Sequence, residues 1–168
     1  MQPRRFCPFC AAPLGPVVDG AQACPGCGRP FYHNAAPCSA VLVEDGGRVL
    51  LARRAVDPGA GLWDLPGGFC GPHESPEDAA VRELREETGA EVVLTGFLGH
   101  VPDTYGPGGD GTLNCVFTAR LADPAAVLVA TDDVAELRWF GEDDLPAAAE
   151  IAFANTAEAL RRWRERRS

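Results

Sequence analysis

One short helix, specified at both of its ends, constrains the fold of this chain more than any other feature of the sequence. Ser75 is a residue type that caps helix N-termini, Pro76 suits the first helical position, and Asp78 follows three residues after the cap. Gly89 is the residue type that ends a helix, because it adopts the left-handed conformation without strain. The sequence therefore predicts a helix over residues 76–88.

Three carboxylates lie on one side of this predicted helix. At about 100° per residue, Glu83, Glu86 and Glu87 fall within an arc of roughly 100°, and Leu84 points elsewhere and can face a sheet. Like charges at these spacings destabilise a helix, so the cluster indicates a function that offsets this cost. Oxygen ligands suit hard cations, with Mg2+ expected and Mn2+ as a substitute. A solvated acidic face is the alternative.

The distribution of charge points to the same chemistry. The chain has 24 acidic residues against 15 basic ones, all of them arginine, for a net charge of −9. Residues 35–160 carry 7 arginines and 22 acids, a charge of −15, whereas residues 1–34 stand at +2 and residues 161–168 at +4. Such a body repels polyanions, which disfavours nonspecific binding of nucleic acid. It would need divalent cations to handle phosphates.

Four of the seven cysteines form two C-x2-C pairs, Cys7 with Cys10 and Cys24 with Cys27, separated by 13 residues. Two such loops can place four thiolates on one tetrahedral zinc ion. Disulfides are the alternative, but the N-terminal residues contain no secretory signal that would accompany them. We therefore expect a structural zinc ribbon over residues 1–33, which is too short to form a core without its metal.

Residues 36–168 are expected to form one α/β domain with a mixed sheet. A hinge at residues 33–37 separates this domain from the ribbon. Apolar runs bounded by turn residues predict strands at 39–44, 48–53, 91–101, 112–121 and 135–140, and a terminal helix is predicted over residues 146–166. Strands interrupted by one central and one terminal helix favour a layered α/β domain.

The central helix and the residues before it resemble the Nudix box, the signature of the Nudix hydrolase superfamily. The residues run Gly68-x5-Glu74-x7-Arg82-Glu83-Leu84-x-Glu86-Glu87-x-Gly89-Ala90 and match the box at every spacing. The last position usually carries a larger aliphatic residue than Ala90, a departure that affects packing and not chemistry. The preceding residues, 63–68, also resemble the usual start of the box.

The resemblance implies a Nudix α/β/α sandwich in which a loop–helix–loop binds divalent ions. It implies that a nucleoside diphosphate linked to another group is hydrolysed there. Carried over position by position, the metal ligands are Glu83, Glu86 and Glu87, the backbone carbonyl of Gly68, and Glu74 as an accessory ligand. Arg82 would orient these carboxylates through charge-assisted hydrogen bonds. The bound metal would lower the pKa of a water that attacks phosphorus. The proton acceptor varies across the superfamily, and Glu83, Glu87 and Glu136 are the candidates here.

A second resemblance concerns the order of the two domains. A four-cysteine ribbon ahead of a Nudix domain resembles the NADH pyrophosphatases and a related group of ribbon-bearing ADP-ribose/FAD pyrophosphatases. NADH pyrophosphatases carry a Ser-Gln-Pro-Trp-Pro-Phe-Pro-like segment after the box, and residues 90–120 contain none. We therefore expect metal-dependent hydrolysis of the pyrophosphate bond of ADP-ribose, FAD or a similar dinucleotide. The alternatives are a nucleoside triphosphate or RNA-cap (NAD-type) hydrolase, and a nucleotide-sensing module without catalysis, which the intact glutamates disfavour.

Contacts with the substrate are expected from a loop and from the end of a strand. Tyr105, in the glycine-rich segment 105–111, can stack on a flat ring, although packing in the core is the alternative. Arg53 is a candidate for phosphate, and Glu136 for the substrate side of the site. The expected partner is a small nucleotide, with RNA contact through the ribbon and a homodimer left open. No apolar run approaches the roughly 20 residues of a membrane helix, so we expect a cytoplasmic location.

Overall fold

A seven-stranded mixed sheet with a helix on each face forms the larger part of the molecule. The computed structural model describes residues 3–167; residues 1, 2 and 168, at the outer limits of the two predicted domains, lie outside the described part. The elements are β1 Ala21–Ala23, β2 Pro30–Tyr32, β3 Ala36–Asp45, β4 Arg48–Arg54, β5 Trp63–Asp64, β6 Gly67–Phe69, α1 Pro76–Thr88, β7 Val92–Thr104, β8 Gly111–Leu121, β9 Val134–Phe140 and α2 Ala154–Glu165.

The sheet is mixed because β3 pairs in parallel with β8, while the other strand pairs are antiparallel. The strand order is β5-β4-β3-β8-β7, with β6 added to β3 and β9 added to β4. The predicted α/β architecture with a mixed sheet is confirmed. Each predicted strand is present with slightly different limits, and the short strands β5 and β6 were not predicted.

Alternate residues of β3 pack into two separate cores. Val41 and Val43 contact the cluster beneath α1, which includes the buried Leu84, whereas Leu42 joins the cluster beneath α2, which includes Trp163. Successive side chains of a strand point to opposite faces of the sheet, so the apolar run of β3 can be buried on both sides. Burying each such side chain contributes about 1.5–3 kcal/mol. Strand β3 is therefore held by packing on both of its faces, and the site is built against it.

Helix α1 has the predicted ends. The hydroxyl of Ser75 accepts a hydrogen bond from the backbone N–H of Asp78 at 3.1 Å, and Gly89 adopts φ 70° and donates its N–H to the carbonyl of Arg85. The helix packs on β3 and β6. Neither α1 nor α2 combines the length and apolar character that a membrane-crossing helix requires.

The prediction of a terminal helix over residues 146–166 is wrong for its first part. Helix α2 begins at Ala154, and the preceding residues form a short 3-10 turn, Ala148–Glu150, followed by extended chain. The backbone N–H of Ala152 donates to the carbonyl of Trp63 at 2.8 Å, and Ile151 forms a parallel bridge with Trp63. These long-range hydrogen bonds compete with helix formation and hold residues 151–152 extended beside β5.

The N-terminal ribbon is organised around a buried glutamine. Gln22 is 1% exposed, and its amide group donates to the carbonyls of Gly15 at 2.6 Å and Arg4 at 3.1 Å. Its Oε1 lies 2.7 Å from Nε2 of His33. A buried amide is stable only when such partners are present, so Gln22 joins the start, middle and end of this small unit. Strand β3 follows from Ala36.

Candidate active site

The start of β6 makes two close approaches, one to the backbone of β3 and one to a side chain of α1. A Cβ on Gly67 would lie 2.2 Å from the carbonyl oxygen of Ser39, and φ of Gly67 is 154°. A Cβ on Gly68 would lie 2.5 Å from Oε1 of Glu83. Position 67 therefore requires glycine, because the atom that a Cβ would meet is backbone of β3; at Gly68 the end of the Glu83 side chain would have to shift. Glycine at both positions leaves room for the helix carboxylates to approach the strand.

Arg82 links three carboxylates at this turn. Its Nε and Nη2 each donate to the Glu74 carboxylate at 2.7 Å, and its Nη1 donates to Glu83 at 2.7 Å and to Glu86 at 3.0 Å. Nη2 also donates to the carbonyl of Phe69 at 3.1 Å. These hydrogen bonds hold the pKa of Glu74 at about 2 and raise that of Arg82. Arg82 is thereby hydrogen-bonded to three of the carboxylates that we expect it to orient.

Glu87 is the buried member of the glutamate cluster on α1. It is 5% exposed, and its Oε2 accepts a hydrogen bond from the backbone N–H of Gly67 at 3.2 Å. Burial raises the pKa of Glu87 to about 9, and the nearby charges of Asp133, Glu83 and Asp64 act in the same direction. Burial also raises the pKa of Glu83. Both carboxylates therefore lack a nearby cation strong enough to offset their desolvation.

A cavity of about 250 Å³ opens beside these two glutamates and is partly lined by four aspartates that the sequence interpretation missed, Asp64, Asp103, Asp132 and Asp133. Asp64, at the end of β5, lies 3.7 Å from Nη1 of Arg54 and accepts a hydrogen bond from the hydroxyl of Thr156. Burial raises its pKa to about 6. Asp133, just before β9, lies 3.9 Å from Nη2 of Arg54. No periodicity marks either residue, although Asp64 lies within the segment that leads into the box.

The segment before β9 is attached to the last turn of α1. The backbone N–H groups of Val129 and Thr131 donate to the carbonyls of Thr88 and Glu87 at 3.0 and 3.1 Å, and the Thr131 hydroxyl donates to the carbonyl of Glu86. These carbonyls have no partner within the helix, so the segment caps it. Asp133 is thereby placed two residues beyond the cap, in the lining of the cavity.

The predicted substrate contacts are only partly brought together. Tyr105 lines the cavity and is 39% exposed. Its ring lies 5.2 Å from that of Phe69 and stacks at 5.9 Å on Phe153, which the sequence interpretation did not single out. Arg53 and Glu136 pair with each other at 3.3 Å, and neither belongs to the lining of the cavity. Neighbouring strand residues point to opposite faces, and it is Arg54 that lines the cavity.

The donor set of the cavity suits a divalent cation. Six carboxylates from four parts of the chain line it, and among the described residues Arg54 supplies the single guanidinium of the lining; the six are Asp64, Glu83, Glu87, Asp103, Asp132 and Asp133. Carboxylate oxygen is the ligand type that Mg2+ and Mn2+ prefer. Within residues 3–167 no three of these carboxylates place their oxygens within 4.8 Å of one another, so the match to a hard metal lies in the chemistry of the donors and not in their spacing. The residues therefore fit a hard metal.

The four cysteines of the ribbon are arranged for a different metal. Their sulfurs all lie within 4.8 Å of one another, with Cys7 and Cys27 at 3.8 Å and Cys10 and Cys24 at 3.5 Å. A tetrahedral zinc with Zn–S bonds of about 2.3 Å separates its sulfurs by about 3.8 Å. All four are free thiols rather than disulfides. The thiol geometry fits a structural zinc ion, remote in sequence from the carboxylate cavity.

A mixed sheet that carries a glycine turn and a carboxylate-bearing helix defines the Nudix fold, and comparison with known proteins agrees. The model of the NUDIX domain matches residues 33–163, and the chain belongs to that family. Among solved structures, a NUDIX hydrolase from Nitrosomonas europaea superimposes with a TM-score of 0.78 at 28% identity, covering 98% of this chain and 92% of that one. The predicted Nudix membership and fold are confirmed.

The curated relatives bear a more specific description. The chain is 32% identical over 145 residues to the NAD-capped RNA hydrolase NudC of Pseudomonas putida (strain W619), covering 84% of this chain and 50% of the relative. It is 29% identical over 143 residues to the NudC of Salmonella heidelberg (strain SL476), covering 84% and 53%. The chain spans about half the length of these relatives. Both are hydrolases, which supports the predicted class of enzyme.

Proposed function

We propose that this protein is a metal-dependent pyrophosphohydrolase that cleaves the pyrophosphate bond of a dinucleotide such as ADP-ribose, FAD or NAD. The observation that carries the proposal is the composition of the cavity. The carboxylates of Glu83 and Glu87 and the rings of Phe69, Tyr105 and Phe153, which we call the ring wall, line the same cavity. A substrate with a diphosphate and a flat ring has groups complementary to both.

The carboxylates of the cavity, the side chains of Glu74 and Glu86 and the Gly68 carbonyl would hold Mg2+ or Mn2+. The metal would neutralise the diphosphate and lower the pKa of a bound water. Arg82 fixes the directions of Glu74, Glu83 and Glu86 by its hydrogen bonds. Without that arginine the three carboxylates would repel one another and spread apart.

The proton of the attacking water needs an acceptor inside the cavity. Glu83, Glu87 and Asp133 line the cavity, whereas Glu136 is engaged with Arg53 outside that lining. A general base must lie within hydrogen-bond reach of the proton it takes. We therefore propose Asp133, instead of Glu136, as a candidate general base together with Glu83 and Glu87. Arg54, in the same lining, carries the positive charge that can contact a phosphate oxygen.

The ring wall supports a substrate with a planar group next to the diphosphate. Phe69 and Tyr105 meet edge to face, and Tyr105 and Phe153 are nearly parallel, with 22° between their planes. The hydroxyl of Tyr105 accepts from Arg54 at 3.5 Å, which connects the ring wall with the phosphate-facing arginine. Such stacking accepts different bases, because every base has a flat face. This wall therefore suits ADP-ribose, FAD and NAD alike.

NAD-capped RNA is the second candidate substrate, and it is favoured by the names of the curated relatives. The motif expected of NADH pyrophosphatases is absent from residues 90–120, which speaks against this substrate. The support for NAD-capped RNA therefore comes from the relatives and not from the sequence motifs. The chemistry is the same in both cases, since the same pyrophosphate bond is cleaved.

The test is a substrate screen with Mg2+ and with Mn2+, in which products are separated by chromatography. Dinucleotides should yield AMP and the phosphorylated second half, and the Glu87→Gln variant should release neither. Release of pyrophosphate from nucleoside triphosphates, with dinucleotides left intact, would assign the enzyme to the other substrate class. No hydrolysis of any of these compounds, combined with tight nucleotide binding, would support a sensing module instead.

A further inference from the structure

A second cavity, of about 470 Å³, lies between the ribbon and the loop after β7. Its ribbon side is formed by residues that include Arg4, Phe31, Tyr32 and His33, and its other side by residues that include Gly108 and Asp110. We call it the ribbon groove. Among residues 3–167 it shares no lining residue with the carboxylate cavity, so the two cavities are separate.

Two segments of the chain contribute residues to both the ribbon groove and the carboxylate cavity. The loop at residues 105–111 contributes Tyr105 to the cavity and residues 108–110 to the groove. Strand β3 contributes Ala36 to the groove and Cys38 to the cavity, and two residues of a strand span about 7 Å. The two cavities are therefore neighbours along both segments.

The groove presents a stacked pair of a cation and a ring. The guanidinium of Arg4 lies 4.3 Å from the centre of the Phe31 ring, and the ring of Tyr32 is 62% exposed. Arg4 forms no ion pair with any acid among residues 3–167, although Asp110 lines the same groove. A free cation beside flat rings is the combination that binds single-stranded nucleic acid, because rings stack on bases and the cation attracts phosphate.

Charge restricts where a polyanion can lie on this protein. Residues 35–160 carry a charge of −15, whereas residues 1–34 carry +2. The other basic region, at the end of α2, is partly neutralised, since Arg161 and Arg162 both pair with Glu158 at 2.7 and 2.8 Å. Phosphates are repelled by the body and attracted by the ribbon. The ribbon groove is therefore the favourable path away from the carboxylate cavity.

We propose that the ribbon groove binds the single-stranded RNA that continues from a dinucleotide held in the carboxylate cavity. This proposal rests on the proposed function, since the dinucleotide at the 5′ end is the group that is cleaved. The groove adds affinity for the nucleotides next to that end, through stacking and phosphate contact, and it selects no base sequence. Free dinucleotides bind without using it.

The experiment compares NAD with a 12-nucleotide single-stranded RNA that carries NAD at its 5′ end. For the unmodified protein, the KM for the RNA should be at least ~10-fold lower than that for NAD. The Arg4→Ala and Tyr32→Ala variants should lose at least ~5-fold in kcat/KM on the RNA and keep their kcat/KM on NAD. The logarithm of RNA affinity should fall with the logarithm of salt concentration, and the slope should be smaller in Arg4→Ala by the value of about one phosphate contact.

The matched control is Arg29→Ala, which removes an equal charge from the ribbon. Arg29 lies over the ring of Phe9 at 4.7 Å and does not line the groove. An equal loss in Arg29→Ala would mean that the total ribbon charge matters and the groove does not. Equal KM values for NAD and the RNA would also overturn the proposal.

Binding of the same RNA, labelled at its 3′ end and followed by fluorescence anisotropy, separates this proposal from the proposed function. If no dinucleotide is hydrolysed but Arg4→Ala still weakens RNA binding, the proposed function fails and the groove assignment stands. If NAD is hydrolysed and all variants bind the RNA equally, the groove assignment fails alone. Light scattering measures the oligomeric state of the protein and of Tyr32→Ala. If the protein is a dimer that Tyr32→Ala dissociates, and RNA binding does not change, the groove is an interface between copies and the proposal is overturned.

Discussion

The backbone N–H of Gly67 donates a hydrogen bond to the carboxylate of Glu87 across 3.2 Å. This contact joins the start of β6 to the last turn of α1, and Gly67 itself lies against the backbone of Ser39. The position of the buried carboxylate is therefore set by strand β3 and not only by its own helix. A site assembled in this way tolerates little change in the turn or in the helix.

Removal of charge from α1 should abolish catalysis while the fold persists. Glu86→Gln and Glu87→Gln keep the size of the side chain but remove a carboxylate from the proposed metal site. Hydrolysis of the best dinucleotide should fall at least ~10²-fold, because activation of water by the metal is lost. The measurement is kcat at saturating Mg2+, with circular dichroism as the test of folding.

Glu91→Gln is the control for these variants. Glu91 lies just beyond α1, and its only ion pair in the described chain is a long one of 3.8 Å to Arg85, with both side chains largely exposed. The activity of Glu91→Gln should match that of the unmodified protein. Near-normal rates in Glu86→Gln and Glu87→Gln would show that α1 is not the active site.

The buried carboxyl of Glu87 should make stability depend on pH when no Mg2+ is present. Its pKa is about 9 in the folded protein, against an ordinary value of 4.5. Between these values the unfolded chain has released a proton that the folded chain retains, so the free energy of unfolding falls as pH rises. Glu87→Gln should therefore stabilise the protein more at pH 8.5 than at pH 5.5, by at least about 1 kcal/mol, measured by urea unfolding. A gain of the same size at both pH values would contradict the raised pKa.

Thr131 should act as a positioning residue for Asp133. Its hydroxyl donates to the carbonyl of Glu86, and its N–H donates to that of Glu87. Thr131→Val keeps the shape and loses the first hydrogen bond, which costs about 1 kcal/mol of stability. We expect kcat to fall at least ~3-fold and the Mg2+ concentration for half-maximal activity to rise, while Thr131→Ser restores both. A lower melting temperature with unchanged kcat and Mg2+ dependence would leave Thr131 a purely structural role.

Tyr105 should contribute to substrate binding more than to the chemical step. Truncation in Tyr105→Ala removes a ring that can stack on the substrate, an interaction worth about 1–3 kcal/mol. The KM for ADP-ribose or FAD should rise so that kcat/KM falls ~10-fold or more, with Mg2+ dependence unchanged. Phe97→Ala is the control, since Phe97 is 55% exposed and contacts Phe117 outside the cavity. An unchanged KM with a clear drop in melting temperature would show that Tyr105 serves packing.

The ribbon should contain one zinc ion per chain. Elemental analysis should give one equivalent, and the Cys24→Ser variant should give much less, because three thiolates and a hydroxyl bind zinc weakly. Loss of zinc should unfold residues 3–34, since the metal supplies most of their folding free energy. Cys70→Ser, outside the ribbon, should retain the full equivalent. Zinc-free protein with all thiols freely titrating would contradict the site.

The parts of the site that depend on neighbours in sequence could be predicted from the sequence. Ser75 caps α1 through a residue three positions away, and Glu83, Glu86 and Glu87 share a face because of the helix period alone. The same holds for the two cysteine pairs, where each turn presents two sulfurs to one point. Such features require only local geometry, which short sequence patterns report directly.

The tertiary structure alone decided the rest of the cavity. Asp64, Asp133 and Phe153 come from distant segments and meet because β4 pairs with both β5 and β9 and because residues 151–152 bond to Trp63. The same pairings turn Arg54 into the cavity and leave Arg53 with Glu136 outside its lining. Strand pairing and burial are long-range, and residues that only they bring together carry no periodicity or spacing in the chain. The sequence by itself therefore determined which helix bears the carboxylates, and the packing of the sheet determined which other residues face them.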